Sequence, residues 1–350
     1  MKLFKYILIF LAISLVSVYF LLQNHSIQNR LFENTVRGLF QADEIFMSDA
    51  LSVAVCGSRA PLPSPNRAET CLLVQAGTSK FIIDSGRGSA ENLQRWRVDY
   101  SDLEAVILSH LHSDHISDLH EVQFQSWLGG RKTPLSVIGP VGTASTAQGF
   151  EQAFELDSIY RSEHHGAILP IEAYGYDVVE FEGDSVLIFQ NEDTSITAFK
   201  VDHSPVDPSY AFKIEYKDRS IVLSGDTISL EVMTEYSKGV DVLFHDALAL
   251  PLIQEMERIS EELGNDVVSK VLFDIQDYHA NTIEVADIAK KAEVDLLVFY
   301  HLIPAPVNYI SEQMFLRGVD EIFSNYHVSE DGTLVSLPAG SDEIFIDLID

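Results

Sequence analysis

The longest uncharged apolar run lies at the N-terminus, from Tyr6 to Leu22, with Lys2 and Lys5 before it and Gln23-Asn24 after it. Its 17 residues sit at the short limit for a bilayer-spanning helix, about 17–25 residues. The run exceeds the roughly 7–15 residue core of a cleavable signal peptide, and no small-x-small cleavage site follows it. The pattern predicts an uncleaved signal anchor over residues 1–23, lysines inside and the bulk of the chain outside, with a cleavable signal peptide as the competing reading. A buried soluble helix fits poorly because the run is apolar on every side. Over residues 24–50, Leu31, Phe32, Val36, Leu39 and Phe40 recur at partly helical spacing and predict a juxtamembrane helix or linker.

A globular domain over residues 51–340 follows, in which short β-branched runs alternate with helical periods. Strands are predicted at Leu51–Val55, Leu72–Gln75, Phe81–Ile83, Leu103–Leu108, Leu135–Ile138, Val186–Phe189, Ile196–Val201, Ala211–Tyr216, Ser220–Leu223, Val240–Phe244 and Leu296–Tyr300. Helices are predicted at Ser89–Trp96, Ile116–Trp127, Gly142–Phe154, Glu231–Tyr236, Leu252–Leu263 and Ile283–Ala292. Asn281-Thr282-Ile283-Glu284 has capping-box spacing, which starts the last of these just after His279. Lys217-Asp218-Arg219 reads as a hairpin turn, and Pro61-Leu62-Pro63-Ser64-Pro65-Asn66 as irregular chain. Residues 157–183 show no clear period and read as a loop or lid, with His164-His165 as a solvated surface pair rather than a pair facing a cleft. The alternation of strand and helix places the domain in the α/β class.

Hydrophobic residues make up 46% of the chain, enough to fill a sizeable core and to exclude general disorder. The net charge of −30 changes the picture of partners. A nucleic-acid binder needs clustered cations to replace phosphate counterions. Here the densest clusters are pairs such as Arg131-Lys132 and Lys290-Lys291, so nucleic acid is disfavoured as the main ligand. Cys56 and Cys71 are the two cysteines, and both lie at the edges of strand-like runs that can pair as a hairpin. An oxidising compartment would allow a disulfide between them; two buried thiols are the alternative.

The densest chemistry is His110-Leu111-His112-Ser113-Asp114-His115, at the end of an apolar strand. Residues two apart on extended chain share a face, so His110 and His112 can reach one metal ion, while Asp114 and His115 diverge toward a neighbouring one. Imidazole and carboxylate without thiolate suit zinc in a catalytic site. Other strand-like runs end in Asp84, His203, Asp226 and His301. Each alone is an ordinary surface or cap residue; strand ends meeting at one rim would make a two-metal ligand set. His245-Asp246 and Tyr278-His279 form a further group, in which a histidine held by an acid can donate a proton, although from the spacing alone an N-terminal turn and a structural hydrogen bond are the preferred readings.

Taken in order, these motifs resemble the metallo-β-lactamase superfamily from about Leu51 to Pro338, with the nearest likeness in its ribonuclease Z and arylsulfatase-like branch. His245-Asp246-Ala247-Leu248 and His279-Ala280-Asn281-Thr282 stand where that branch carries its later histidine segments. The Cys56-Gly57-Ser58 segment and Val201-Asp202-His203-Ser204-Pro205-Val206 look most like the arylsulfatase-like subgroup. The resemblance implies a four-layer αββα sandwich. It implies two zinc ions, with manganese or iron as substitutes: one held by His110, His112 and His203, the other by Asp114, His115 and His301, bridged by Asp226. Asp84 would orient the ligand loop, and His279, steadied by Asp246, would be the proton donor. The implied activity is hydrolysis of sulfate-ester or phosphodiester bonds in small molecules by a hydroxide activated between the two ions. A lactonase or β-lactamase-like hydrolase is the alternative, and a non-catalytic membrane-tethered metal-binding protein a further one. A homodimer is compatible with the resemblance. Asp246 replaces the branch's glutamate, Ser117 replaces a common glycine, and only 22 residues separate His203 from Asp226. That interval leaves no room for the tRNA-binding arm of bacterial ribonuclease Z.

Overall fold

A computed structural model of the chain describes residues 2–39 and 45–349, in two units, Met1–Asp43 and Glu44–Asp350. The first unit holds α1 (Lys2–Leu22) and α2 (His25–Leu39). Asn24 separates them: its Oδ1 accepts from the backbone N–H of Ser26 at 2.9 Å, which caps the start of α2. Within α1, Phe4–Leu22 is long and apolar enough to cross a membrane. Phe40, grouped above with the apolar positions of this region, lies outside the described residues.

In the second unit the chain lays down β1 (Ala50–Gly57), β2 (Cys71–Ala76), β3 (Ser79–Ile83), β4 (Ala105–Ile107), β5 (Leu135–Pro140) and β6 (Tyr176–Phe181). It then builds a second sheet from β7 (Ser185–Gln190), β8 (Thr194–His203), β9 (Val206–Tyr216), β10 (Arg219–Leu223), β11 (Val242–Leu248), β12 (Leu296–Ile303) and β13 (Tyr326–Val328). Finally β14 (Thr333–Pro338) and β15 (Phe345–Leu348) return to the first sheet. The sheet orders are β15-β14-β1-β2-β3-β4-β5-β6 and β13-β12-β11-β10-β9-β8-β7. Alternation along each strand sorts side chains to two faces. Leu51, Val53 and Val55 of β1 meet Phe212, Ile214, Phe244 and Val298 of the opposite sheet in the central core. Ala54 and Cys56 face outward. There α3 (Ser89–Arg95), α4 (Ser113–Ile116), α5 (Leu119–Leu128) and α6 (Thr143–His165) flank the first sheet, with Leu93, Leu119 and Val122 in the packing. The second sheet is covered by α7 (Glu231–Tyr236), α10 (Thr282–Ala292) and α11 (Tyr309–Phe315) through Met233, Val285, Ala289 and Phe315. Between β11 and α10, α8 (Leu250–Glu262) and α9 (Asp266–Asp274) form a hairpin whose Ile253 and Leu272 join a smaller cluster with Ala60, Leu248 and Ile303. The result is an α/β sandwich of four layers, αββα. Cys56 and Cys71 are bonded within the β1–β2 hairpin.

Two expectations fail. Residues 157–183 are not a loop: α6 continues to His165, and Tyr176–Phe181 is the strand β6, parallel to β5. Only Thr143, Ala147 and Ser158 of α6 are buried, so a mostly solvated helix left little hydrophobic period to read. His164 and His165 lie in its last turn, both exposed. The helix expected at Ile116–Trp127 is also broken, into α4 and α5, and α4 begins inside the histidine cluster.

Candidate metal centre

Parallel strands end on the same edge, and here those edges meet. β3 and β4 run parallel, bringing Asp84 and His110 together. β10, β11 and β12 run parallel, bringing Asp226, Asp246 and His301 together. His203 closes β8 where its pairing with β9 shifts register. At His301 the pairing with β11 also shifts: Tyr300 stands opposite Asp246 and Leu302 opposite Ala247, so His301 is the extra residue of a bulge. Its φ of 44° is a strained value for a non-glycine residue. The bulge turns His301 into the site while Tyr300 and Leu302 stay in their separate cores. Glycines let the loops close in. A Cβ on Gly86 would lie 2.1 Å from the Asp114 carbonyl oxygen, and one on Gly225 2.5 Å from that of Tyr210.

Asp84 organises the centre from below. It accepts from the Ser109 backbone N–H at 2.9 Å, the Ser109 hydroxyl at 2.7 Å and His115 Nδ1–H at 2.8 Å. With its proton given to Asp84, Ser109 Oγ can accept from His110 Nδ1–H, 3.1 Å away. His203 Nδ1–H donates to the Tyr278 carbonyl oxygen at 2.9 Å. These bonds set His110, His115 and His203 as Nδ1–H tautomers with the Nε2 lone pairs facing inward. His112 instead brings Nδ1 to 3.3 Å from His203 Nε2. Asp226 Oδ2 lies 3.3 Å from His115 Nε2, 3.2 Å from His301 Nε2, 3.7 Å from His203 Nε2 and 3.9 Å from His110 Nε2. Asp114 Oδ2 is 3.3 Å from His301 Nε2 and 3.7 Å from His115 Nε2.

This donor set fits divalent cations. His110 Nε2, His115 Nε2 and Asp226 Oδ1 are buried without a hydrogen-bond partner. Leaving such groups unmet costs about 1–3 kcal/mol each, so the fold has a use for them. Two groups of ligand atoms converge, His110, His112, His203 with Asp226, and Asp114, His115 with His301; a third, overlapping group combines Asp226 and His301 with His279. Burial holds the His110 imidazole well below its ordinary value, and the neighbouring imidazoles add to the effect. The same cause lowers His112, and it takes His203 to about 4. Burial opposes charge on His115 as well, but Asp226, Asp84 and Asp114 outweigh it and raise that ring well above the usual range. Burial would also raise the Asp226 carboxyl; His301 and His115 instead pull it well below the usual carboxylate value. The centre thus sets ionised carboxylates among the neutral His110, His112 and His203 rings, while those same carboxylates favour the protonated forms of His115 and His301.

Beside it, His279 Nδ1–H donates to Asp246 Oδ2 at 2.9 Å, and the His279 ring lies 4.9 Å from that of His203 and 5.4 Å from that of His301. Asp246 is buried and also holds His245 Nδ1 at 3.0 Å. Burial opposes its ionisation, but the bonds from His245 and His279 lower its carboxyl below the usual value. Every candidate ligand and acid–base residue of the sequence therefore lies in or against one cluster, while Cys56 and Cys71 sit in the β1–β2 hairpin. Ser109, Ser224, which donates to the Asp246 region through its hydroxyl, and the Tyr278 carbonyl were not marked in the sequence. Their partners lie 22 to 75 positions away, and no spacing rule spans that distance.

Several known proteins resemble this chain over most of its length. The family model described as anti-Pycsar protein Apyc1 matches residues 63–255. Ribonuclease Z of Mycobacterium bovis is 33% identical over 287 residues, 80% of this chain and 96% of that protein. Ribonuclease Z of Mycobacterium marinum is 34% identical over 73% of this chain and 87% of its own length. Among solved structures, the metallo-β-lactamase fold protein YhfI of Bacillus subtilis superposes with a TM-score of 0.61 at 21% identity, over 82% of this chain and all of that one. The short form of human tRNase Z gives 0.58 at 20% identity, over 82% of this chain and 99% of that one.

Proposed function

This chain belongs to the metallo-β-lactamase superfamily, in its ribonuclease Z-like branch, and from that premise we propose a dizinc phosphodiesterase that cleaves small diesters. The observation that carries the reading is the set of buried inward-facing nitrogens on His110, His115 and His203, each fixed by a bond on its other nitrogen. His110, His112 and His203 would hold one ion, Asp114, His115 and His301 the other, and Asp226 both. Bound ions supply Lewis-acid activation of water and of a phosphoryl oxygen at neutral pH. The chain's own residues do the rest. Asp84 keeps His115 in its ligating tautomer. Asp246 holds His279 by Nδ1–H, so that the imidazolium form would present Nε2–H to the departing oxygen and give it that proton.

Small diesters are favoured over RNA by two features. The stretch from His203 to Asp226 is taken up by β9 and β10, and the net charge is −30. The ribonuclease Z relatives make RNA the necessary comparison. The test is a parallel assay of zinc-loaded protein on bis(p-nitrophenyl) phosphate, an aryl sulfate, a lactone and a structured RNA, with and without chelator and with His112→Ala. Chelator-sensitive diester cleavage, lost together with bound zinc in His112→Ala, is expected. Diester turnover that survives both treatments would sink the assignment; preference for the sulfate, the lactone or the RNA would replace the substrate.

We further propose that α1 anchors the chain in a membrane, with the domain on an oxidising side. The apolar stretch Phe4–Leu22 and the bonded Cys56–Cys71 pair support this reading.

A further inference from the structure

The segment that carries His279 also carries an aromatic side chain that the reaction above leaves unused. The Tyr278 ring stands edge-on to His203, with centroids 5.1 Å apart, and 4.9 Å from His279. One side packs against the apolar cluster of Ile253, Leu272 and Ile275 under the α8–α9 hairpin; the residue is half-buried. That packing fixes the ring. The hydroxyls of Tyr100, Tyr210, Tyr216 and Tyr236 each donate to a protein oxygen. Among the described residues, none accepts from the Tyr278 hydroxyl. The ring thus stands beside a candidate ligand, His203, and beside the histidine that faces the departing group.

We propose that Tyr278 is a catalytic residue whose hydroxyl donates a hydrogen bond to a non-bridging oxygen of the tetrahedral anionic group held at the metal centre. The ring is set by the α8–α9 hairpin, so the donor is in place before substrate arrives. No proton is transferred. The bond offsets charge on an oxygen the cations leave free, and such a bond to a charged acceptor is strong. The assignment rests on the phosphodiesterase reading for its substrate, though not for its test.

The variant is Tyr278→Phe, which keeps the ring and its packing and removes only the donor. In the zinc-loaded full chain, calorimetric affinity for methylphosphonate should fall about tenfold, and kcat/KM on bis(p-nitrophenyl) phosphate by a similar factor, with zinc content and Tm unchanged. A purely structural tyrosine would lose stability and leave methylphosphonate affinity alone. Unchanged methylphosphonate affinity overturns the assignment whatever turnover does. If the wild-type chain cleaves no phosphodiester while methylphosphonate affinity still drops in the variant, the phosphodiesterase reading falls and the Tyr278 contact stands.

Discussion

A histidine acts as a ligand only after its other nitrogen has been given something to do. His115 offers Nε2 because Asp84 takes Nδ1–H, and His203 does so because the Tyr278 carbonyl takes Nδ1–H. The ligand residues were legible in the order of motifs; these tautomer-setting partners were not, since each is a contact made in space. His279 has a similar debt to Asp246. His279→Ala should slow diesters with poor leaving groups by about 10²–10⁴-fold and activated p-nitrophenyl esters far less. Equal losses on both, read from kcat/KM across a leaving-group series, remove the proton-donor role. The metal-free centre makes a second residue-level prediction. The folded-state values of His115 and His301 are raised, so their contribution to stability is complete below the unfolded value of about 6.5 and is lost as pH rises through the folded values. The lowered histidines are neutral in both states above that pH and contribute no slope there. Chelator-stripped protein should therefore lose Tm as pH rises above about 6.5, and zinc, which displaces the proton, should remove the trend. A flat Tm profile in stripped protein counts against a charged His115.

Elements with strong alternation were readable, and solvated ones were not. β8 and β9 alternate along part of their length, with one face committed to the central core, while β1, β2 and β10 were readable as short apolar runs. The cap of α10 was readable for the same local reason: Asn281 accepts from the Ile283 and Glu284 N–H groups, and Glu284 reaches back to the Asn281 N–H. The second half of α6, the edge strand β6 and the exposed strand β15 gave no such signal, since water rather than packing covers most of their side chains. The bulge at His301 was invisible for a different reason. Leu296 to Ile303 is buried at every position, and such a run shows no face along which a skipped residue could be noticed. Only the pairing with β11 reveals which residue is extra.

Charge and hydropathy are divided unevenly along the molecule. Over residues 1–39, Lys2, Lys5, Arg30 and Arg37 stand against Glu33, a net +3; the remaining residues therefore carry −33 of the total −30. An acidic domain repels phosphate backbones at long range, and cations bound at the centre would reverse that sign only locally. The apolar stretch at one end predicts partition into lipid. The full chain should stay in the membrane fraction through alkaline carbonate extraction, and removal of residues 1–23 should release an active soluble domain. Release of the intact chain by carbonate would refute the anchor. The sequence by itself determined the candidate ligand residues, their order, the alternating strands and the apolar N-terminal stretch, because composition and short-range period are local properties. Tertiary structure alone decided which nitrogen of each histidine faces inward, that His301 sits on a bulge, and that Tyr278 stands beside the ligands with its hydroxyl free. Those outcomes depend on which distant groups compete for the same hydrogen bonds and the same buried space, and that competition exists only once the two sheets have packed.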